Sequence, residues 1–305
     1  SMRCGGAPAA MVAKCARQVK LRARAQASLQ RRSMQLAALQ FDVRRGAHEA
    51  NLAAVERGLR EARERGFELV LLPEMWASSF PDAGADLRAL VALDERCVER
   101  VRELSRELEL AVCGSSFAAL GPGRPANRWR LFDRGELLAS YDKAHLFSPT
   151  AEPESFSAGA EPPPVLDTRL GRIAGCVCYD LRFVELTRRC FEERAELLLV
   201  PAQWPAARAT HLRALACGLA VQNQCFVLVA NRTGSEAIGR RELLLEFPGN
   251  SLLVDPHGVV LAEGRGVDGL VGAPVELDVA RQMRRRVPVE RDARPELYAR
   301  WRTLR

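Results

Sequence analysis

The chain has 305 residues, 48% of them apolar, and a formal net charge of +7. That length and apolar share allow one large domain or two small ones with a substantial core, and no uncharged apolar run reaches the length of a membrane span, so no membrane partner is expected. Residues 1–33 hold eight of the Lys/Arg and no acid, so residues 34–305 carry a net charge of −1, and a basic body that binds nucleic acid is not expected.

Residues 1–33 read as a separate basic extension, disordered in expectation. Their Arg- and Ala-rich, acid-free composition fits an organellar targeting segment, an upstream start, or, from the leading Ser-Met, vector-derived sequence. From Met34 onward short β-type runs alternate with longer helical patterns. Gln35–Phe41 reads as a strand, and Ala47–Arg65 as a helix with apolar residues at 52, 55, 59 and 62. Glu68–Leu72 is a buried strand stopped by Pro73, Asp86–Leu108 a long helix, and Ala111–Phe117 a strand. Strands near 127–133 and 136–142 flank Asp133-Arg134-Gly135-Glu136, a hairpin signal.

The Pro- and Gly-rich stretch 148–164 reads as a loop. Arg172–Cys178 is then a strand, Phe183–Glu193 a helix, Leu197–Val200 a strand, Ala207–Gln222 a helix and Cys225–Asn231 a strand. Strands around 249–254, 259–263 and 268–276, a short helix and an irregular tail complete the chain. Such alternation implies one layered α/β domain over residues 34–305.

Nine cysteines at irregular spacing, several in strand-like apolar runs, suggest reduced buried thiols and a cytoplasmic setting. Cys176 and Cys178 share a strand face but lack further ligands, so no metal is expected. Residues 34–305 use thirty-six arginines and a single lysine, Lys143. A compact ammonium on a flexible stem suits a tight site for one oxyanion in a way that a planar guanidinium does not.

Glu74, Lys143 and Cys178 each stand at a strand end, where separate pieces of an α/β domain converge. Together they are chemically complete. Cys178, at a strand-to-helix junction, is expected to have its thiolate favoured by the helix amides. The turn aims the Tyr179 amide at an attacked carbonyl, as a nucleophile elbow does. Glu74 can move the thiol proton and Lys143 can hold an oxyanion. His145 and His211 leave a Cys–His pair as a rival, with His145 read as a structural hydrogen bonder.

Several blocks in one order resemble the nitrilase superfamily of carbon–nitrogen hydrolases: LLPEMW (71–76), YDKAHLF (141–147), GCVCYDLRF (175–183), VPAQWP (200–205), VQNQCFVLVANRTG (221–234), GNSLLVDPHG (249–258) and RRRVPVERDARPELY (284–298). The resemblance covers 34–305. It implies a four-layer αββα sandwich, pairing into homodimers, no cofactor, and a Glu–Lys–Cys triad that maps onto Glu74, Lys143 and Cys178. The family's second glutamate falls on Glu152, with Glu154 as a competing alignment. C-Y-D-x-R-F and P-A-x-W-P-x-x-R resemble the branch that holds ω-amidases and deaminated-glutathione amidases.

The implied reaction is hydrolysis of a small linear amide through a thioester, with 2-oxoglutaramate or 2-oxosuccinamate as the expected substrate. Another amide, deaminated glutathione among them, is the alternative. So is a catalytically silent interaction module, against which the intact triad argues. Arg182, four residues past the nucleophile, is the candidate grip for a substrate carboxylate, or else pairs with Asp180 or Glu185. Trp204 walls the pocket or packs under the sheet. Val184, Leu212 and the stretch RRELLLEF (240–247) depart from the family pattern.

Overall fold

Two six-stranded sheets lie face to face in the computed structural model, which describes residues 33–121, 123–238 and 243–303. The expected N-terminal extension, up to residue 32, lies outside the described residues, as do 240–242 of the divergent stretch. In the first sheet β1 (Ser33–Gln40), β2 (Leu69–Leu71) and β3 (Ala111–Ala118) run parallel. β4 (Ala126–Asp133) and β5 (Glu136–Asp142) return as the expected hairpin. Two antiparallel steps turn β5 back to the direction of β2, so both end at the same edge of the sheet.

The alternation along β1 explains the layers. Leu36 and Ala38 enter a core shared with the second sheet. Ala37 and Leu39 enter another, closed by Val55 and Leu59 of α1 (His48–Glu64) and Val98 and Val101 of α2 (Leu87–Glu107). A strand's period of two sends successive side chains to opposite faces, so a strand apolar at every position must be covered on both. Asp86 starts α2 by accepting from the amides of Arg88 and Ala89, which satisfies two otherwise orphaned donors.

The second sheet is built on β6 (Val165–Thr168), β7 (Gly171–Gly175), β8 (Leu197–Ala202) and β9 (Phe226–Asn231). Between them come α3 (Glu152–Ser155, before β6), α4 (Val184–Glu192) and α5 (Ala209–Asn223). β7, β8 and β9 are parallel, joined through α4 and α5, whose apolar faces (Leu186, Cys190, Leu212, Ala216) cover the sheet from outside. β12 (Leu252–Val254) and β13 (Val260–Glu263) extend it by antiparallel pairing, and β14 (Gly269–Glu276) returns to flank β1. The order of layers is helix, sheet, sheet, helix. No described helix is long and apolar enough to cross a membrane.

The structure corrects the sequence reading where segments are short or two-sided. The 148–164 loop contains a 3-10 turn at Ser148–Thr150 and α3, and β6 follows it unannounced. The 172–178 strand stops at Gly175, so Cys178 opens a 3-10 turn over Cys178–Arg182 instead of ending a ladder. A separate hairpin, β10 (Thr233–Ile238) with β11 (Leu243–Pro248), escaped prediction; Phe247 is buried, while Leu244 on the opposite face of β11 and Leu243 at its start are exposed. The 249–254 strand shortens to β12. The expected short helix is α6 (Asp278–Arg286), and the tail read as irregular holds α7 (Val289–Asp292) and α8 (Pro295–Arg302), the last started by a proline in its first turn.

Candidate active site

The C-terminal ends of β2, β5, β7 and β8 deliver four polar groups to one place between the sheets. Glu74 follows β2 across Pro73 and is 1% exposed. Its Oε1 accepts from Lys143 Nζ (2.8 Å) and Asn127 Nδ2 (2.9 Å), and its Oε2 from the Gln203 amide (3.0 Å). Lys143, just past β5, also donates to both oxygens of Glu152, at 2.9 and 2.8 Å. Glu152 opens α3 and takes a further bond from the Phe147 amide (2.6 Å). Of the two competing glutamates it is Glu152 that is buried against Lys143, while Glu154 is exposed.

Cys178 lies where the chain leaves β7. The Cys176 amide still donates to Leu199 O (3.2 Å), and then Cys178 adopts φ 45°, a left-handed conformation that a non-glycine residue takes only when its surroundings demand it. Asp180 imposes the turn. It accepts from the Val177 amide (3.1 Å) and the Tyr141 hydroxyl (3.0 Å) on one oxygen, and from the amide (3.0 Å) and ring Nδ1 (2.8 Å) of His145 on the other. Tyr141 and His145 bracket Lys143, so one buried carboxylate ties the Cys178 turn to the Lys143 segment. Gly175 allows the close approach behind it, since a Cβ there would meet the Trp129 ring at 2.3 Å.

The electrostatics overturn one expectation. Burial pushes the Cys178 thiol well above its ordinary range, and the negative charge of the nearby Glu74 carboxylate pushes it further, against the opposing pull of Lys143. A short 3-10 turn cannot offset the missing water, so the resting group is a thiol and not a thiolate. Burial alone would lower the Lys143 ammonium, but Glu152 and Glu74 outweigh it and hold the charge firmly on. Glu152 is itself pushed up by burial, with Lys143 pulling it back. The arrangement is a neutral nucleophile beside a carboxylate acceptor, with one ammonium spanning two carboxylates. Among the described residues no group of His, Cys, Asp or Glu has the makings of a metal site.

The chain and its fold have known relatives. Residues 35–285 match the family model described as carbon–nitrogen hydrolase. The 2-oxoglutaramate amidase of Bacillus subtilis (strain 168) is 31% identical over 265 residues, 86% of this chain and 98% of that protein. The chain belongs to the carbon–nitrogen hydrolase family. Human deaminated glutathione amidase is 29% identical, over 79% of this chain and 76% of its own. The crystal structure of an amidase from Nesterenkonia sp. superposes with a TM-score of 0.76 at 28% identity, covering 88% of this chain and 96% of that one. A variant of that amidase carries acrylamide added at its active-site cysteine. Membership makes the present chain a hydrolase acting on amides, on the ω-amidase-like side of the nitrilase superfamily.

In this carbon–nitrogen hydrolase Glu74, Lys143, Glu152 and Cys178 line one pocket of about 470 Å3 including its mouth. Tyr179, Arg182 and Trp204 line it too. Arg182 pairs with neither Asp180 nor Glu185: its guanidinium lies 4.9 Å from the Trp204 ring and donates to His211 Nδ1 (3.1 Å). Trp204 is a wall residue, its indole N–H given to Arg208 O (2.8 Å). Neither His145 nor His211 lines the pocket; His145 stacks on Phe183 at 3.5 Å and serves Asp180.

Three contributors escaped the sequence reading. Asn127 donates to Glu74 and also to Glu152 (3.4 Å). Gln203 holds Glu74 by two bonds, its amide to Oε2 and its Nε2 to the backbone oxygen (2.9 Å). Asp180 orders the nucleophile turn. An Asn on the same strand face as Trp129 and Leu131 was a usable signal, because a buried amide has to find partners. Nothing local marked Gln203.

Proposed function

We propose that this hydrolase is an ω-amidase that cleaves a small 2-oxo acid amide through a Glu74–Lys143–Cys178 triad. The observation that carries the chemistry is that Glu74, Lys143 and Cys178, from three separate strand ends, line one pocket, with the Lys143 ammonium 2.8 Å from Glu74 Oε1. The thiol proton passes to Glu74 as sulfur attacks the amide carbon, and the C=O becomes an oxyanion. Once protonated, Glu74 holds Lys143 less tightly, which frees an ammonium N–H for that oxyanion beside the Tyr179 amide. Glu74 returns the proton to the leaving nitrogen, ammonia departs and a thioester remains. Water, deprotonated by Glu74 while Glu152 keeps Lys143 in place, then releases the acid and restores the thiol.

Arg182 supports the acid end of the substrate. It is a cation on the pocket wall, braced by an aromatic ring and a histidine, with no carboxylate of its own among the described residues. The names of the relatives point the same way. The proposal extends to a cytoplasmic homodimer in which residues 1–33 are dispensable. The resemblance supports pairing, and the seven described cysteines, all free, fit a reducing compartment. Light scattering on the full chain and on 34–305 tests both points.

The deciding assay is ammonia release from 2-oxoglutaramate, 2-oxosuccinamate, deaminated glutathione and a neutral amide of similar length. 2-Oxoglutaramate should lead. Arg182→Met should cost kcat/KM about 1.5–3 kcal/mol on the 2-oxo acids, roughly 10- to 150-fold, with little effect on the neutral amide. Equal losses on charged and neutral amides would reject Arg182 as the specificity residue and, with it, the acid end of the substrate.

A further inference from the structure

One guanidinium is buried as deeply as Lys143 and has no part in the reaction as written. Arg232 follows β9 and is 1% exposed. Its Nη1 donates to Gln203 Oε1 (3.2 Å), to Ser79 Oγ (3.1 Å) and to Glu236. Its Nη2 donates to Asp42 Oδ1 (3.0 Å) and its Nε to Thr233 O (3.1 Å). The Phe247 ring covers its flat face, 4.5 Å from Cζ.

One of these contacts leads to the reacting atoms. Gln203 is the residue that holds Glu74 through both its amide and its Nε2. A side-chain amide has one accepting and one donating end, and a guanidinium can only donate. Arg232 therefore leaves Gln203 a single orientation, with Oε1 towards the guanidinium and Nε2 towards the backbone oxygen of Glu74. Three others, to Thr233, Glu236 and Phe247, lead to the β10–β11 hairpin. Glu236 of β10 also accepts from Arg45 Nε (2.6 Å) and Ser79 Oγ (2.6 Å). Phe247 and Leu245 of β11 and Ile238 of β10 line the pocket, and Leu245 lies directly opposite Glu236 in the hairpin register.

We propose that Arg232 is a positioning residue: through the Gln203 side chain it holds the backbone of Glu74, and so the carboxylate that backbone carries, in place beside Cys178, and it ties that placement to the seating of the β10–β11 hairpin on the pocket. This rests on the reading of Glu74 as the base. The pocket wall and the support of the base therefore hang on the same planar fork.

Capture of Cys178 by methyl methanethiosulfonate, a thiol reagent with no amide group, followed by mass spectrometry across pH, reads Glu74 without an amide substrate. Arg232→Lys keeps a positive charge against Asp42 and Glu236 but cannot span Gln203 and Asp42 together. It should slow capture about tenfold or more and lower kcat by a similar factor with KM little changed, the scale of loss that misplacement near the chemistry brings. Gln203→Met cuts the same link, so the double variant should be no worse than the worse single. Wild-type capture in Arg232→Lys with only a lower melting temperature, or losses that multiply in the double variant, overturns the proposal. Glu74→Gln separates the two layers: if it leaves capture unchanged, the reading of Glu74 as base fails first. Should Arg232→Lys not fold, Gln203→Met and Phe247→Leu decide, since slowed capture in both supports the link and wild-type capture in either refutes it.

Discussion

On the outer face of α1 and α2, Arg100 gathers three glutamates, Glu56 (2.7 Å), Glu103 (3.1 Å) and Glu107 (2.9 Å). Between the sheets, Lys143 gathers two, Glu74 and Glu152, each at 2.8 Å. The distances are alike and the surroundings are opposite. The Arg100 group is a third to a half exposed, so water solvates every charge whether or not it is paired, and each bridge is worth about 0–1 kcal/mol. The Lys143 group is sealed at 1% or less, so each charge depends on the others for its solvation. A buried cluster of this kind gives no better stability than apolar residues of the same volume would. Its presence therefore speaks for chemistry, whereas the surface cluster speaks for solubility.

The comparison breaks most sharply at the group the buried cluster serves. Cys178→Ala should lower ammonia release on the order of a thousandfold or more, since no covalent intermediate can form, while the melting temperature stays near wild type. Turnover comparable to wild type would remove the cluster's purpose.

Next in size is Lys143. Lys143→Met leaves two buried carboxylates facing one another and should destabilise the fold by about 3–5 kcal/mol in urea titrations. Lys143→Arg keeps the charge and should fold, yet lose more than tenfold in kcat, above ~1.4 kcal/mol of barrier, because the wider fork does not fit a site for one oxyanion. If Lys143→Arg retains most of its turnover, the lone lysine owes its place to something other than shape.

The smallest effect sharpens the other side. Arg100→Gln should cost less than about 1 kcal/mol, and that difference should shrink in 1 M salt, where the Debye length is only ~3 Å. A salt-insensitive loss as large as that of Lys143→Met would mean that the two clusters are not different in kind.

Much of this architecture was legible from the chain. The alternation of fully apolar strands with amphipathic helices announced a layered fold, because β1 and β9 bury both faces and such strands need cover on each. Glu74, Lys143 and Cys178 could be picked out because each stands polar at the end of an apolar run. What surrounds them could not. Gln203 sits 129 residues from the glutamate it holds, and only the docking of β8 against β2 brings them together. The direction of the Cys178 shift was misread for the same reason: the local turn was visible, but burial and the approach of Glu74 belong to the other sheet. The β10–β11 hairpin was missed because one of its faces is open to water and its residues follow neither strict alternation nor a helical period.

The reacting groups come from both halves of the sandwich, Glu74 and Lys143 from the first sheet, Cys178 and Gln203 from the second. A strand that slips by one residue turns its inward side chains outward. A chain misassembled in that way keeps much of its apolar composition in contact and nearly all its secondary structure, so circular dichroism barely distinguishes it. It has no site at all, since a glutamate on one sheet no longer meets a cysteine on the other. Covalent labelling of Cys178 through the pocket therefore counts molecules whose two sheets have met in register, and the active site doubles as a gauge of its own assembly.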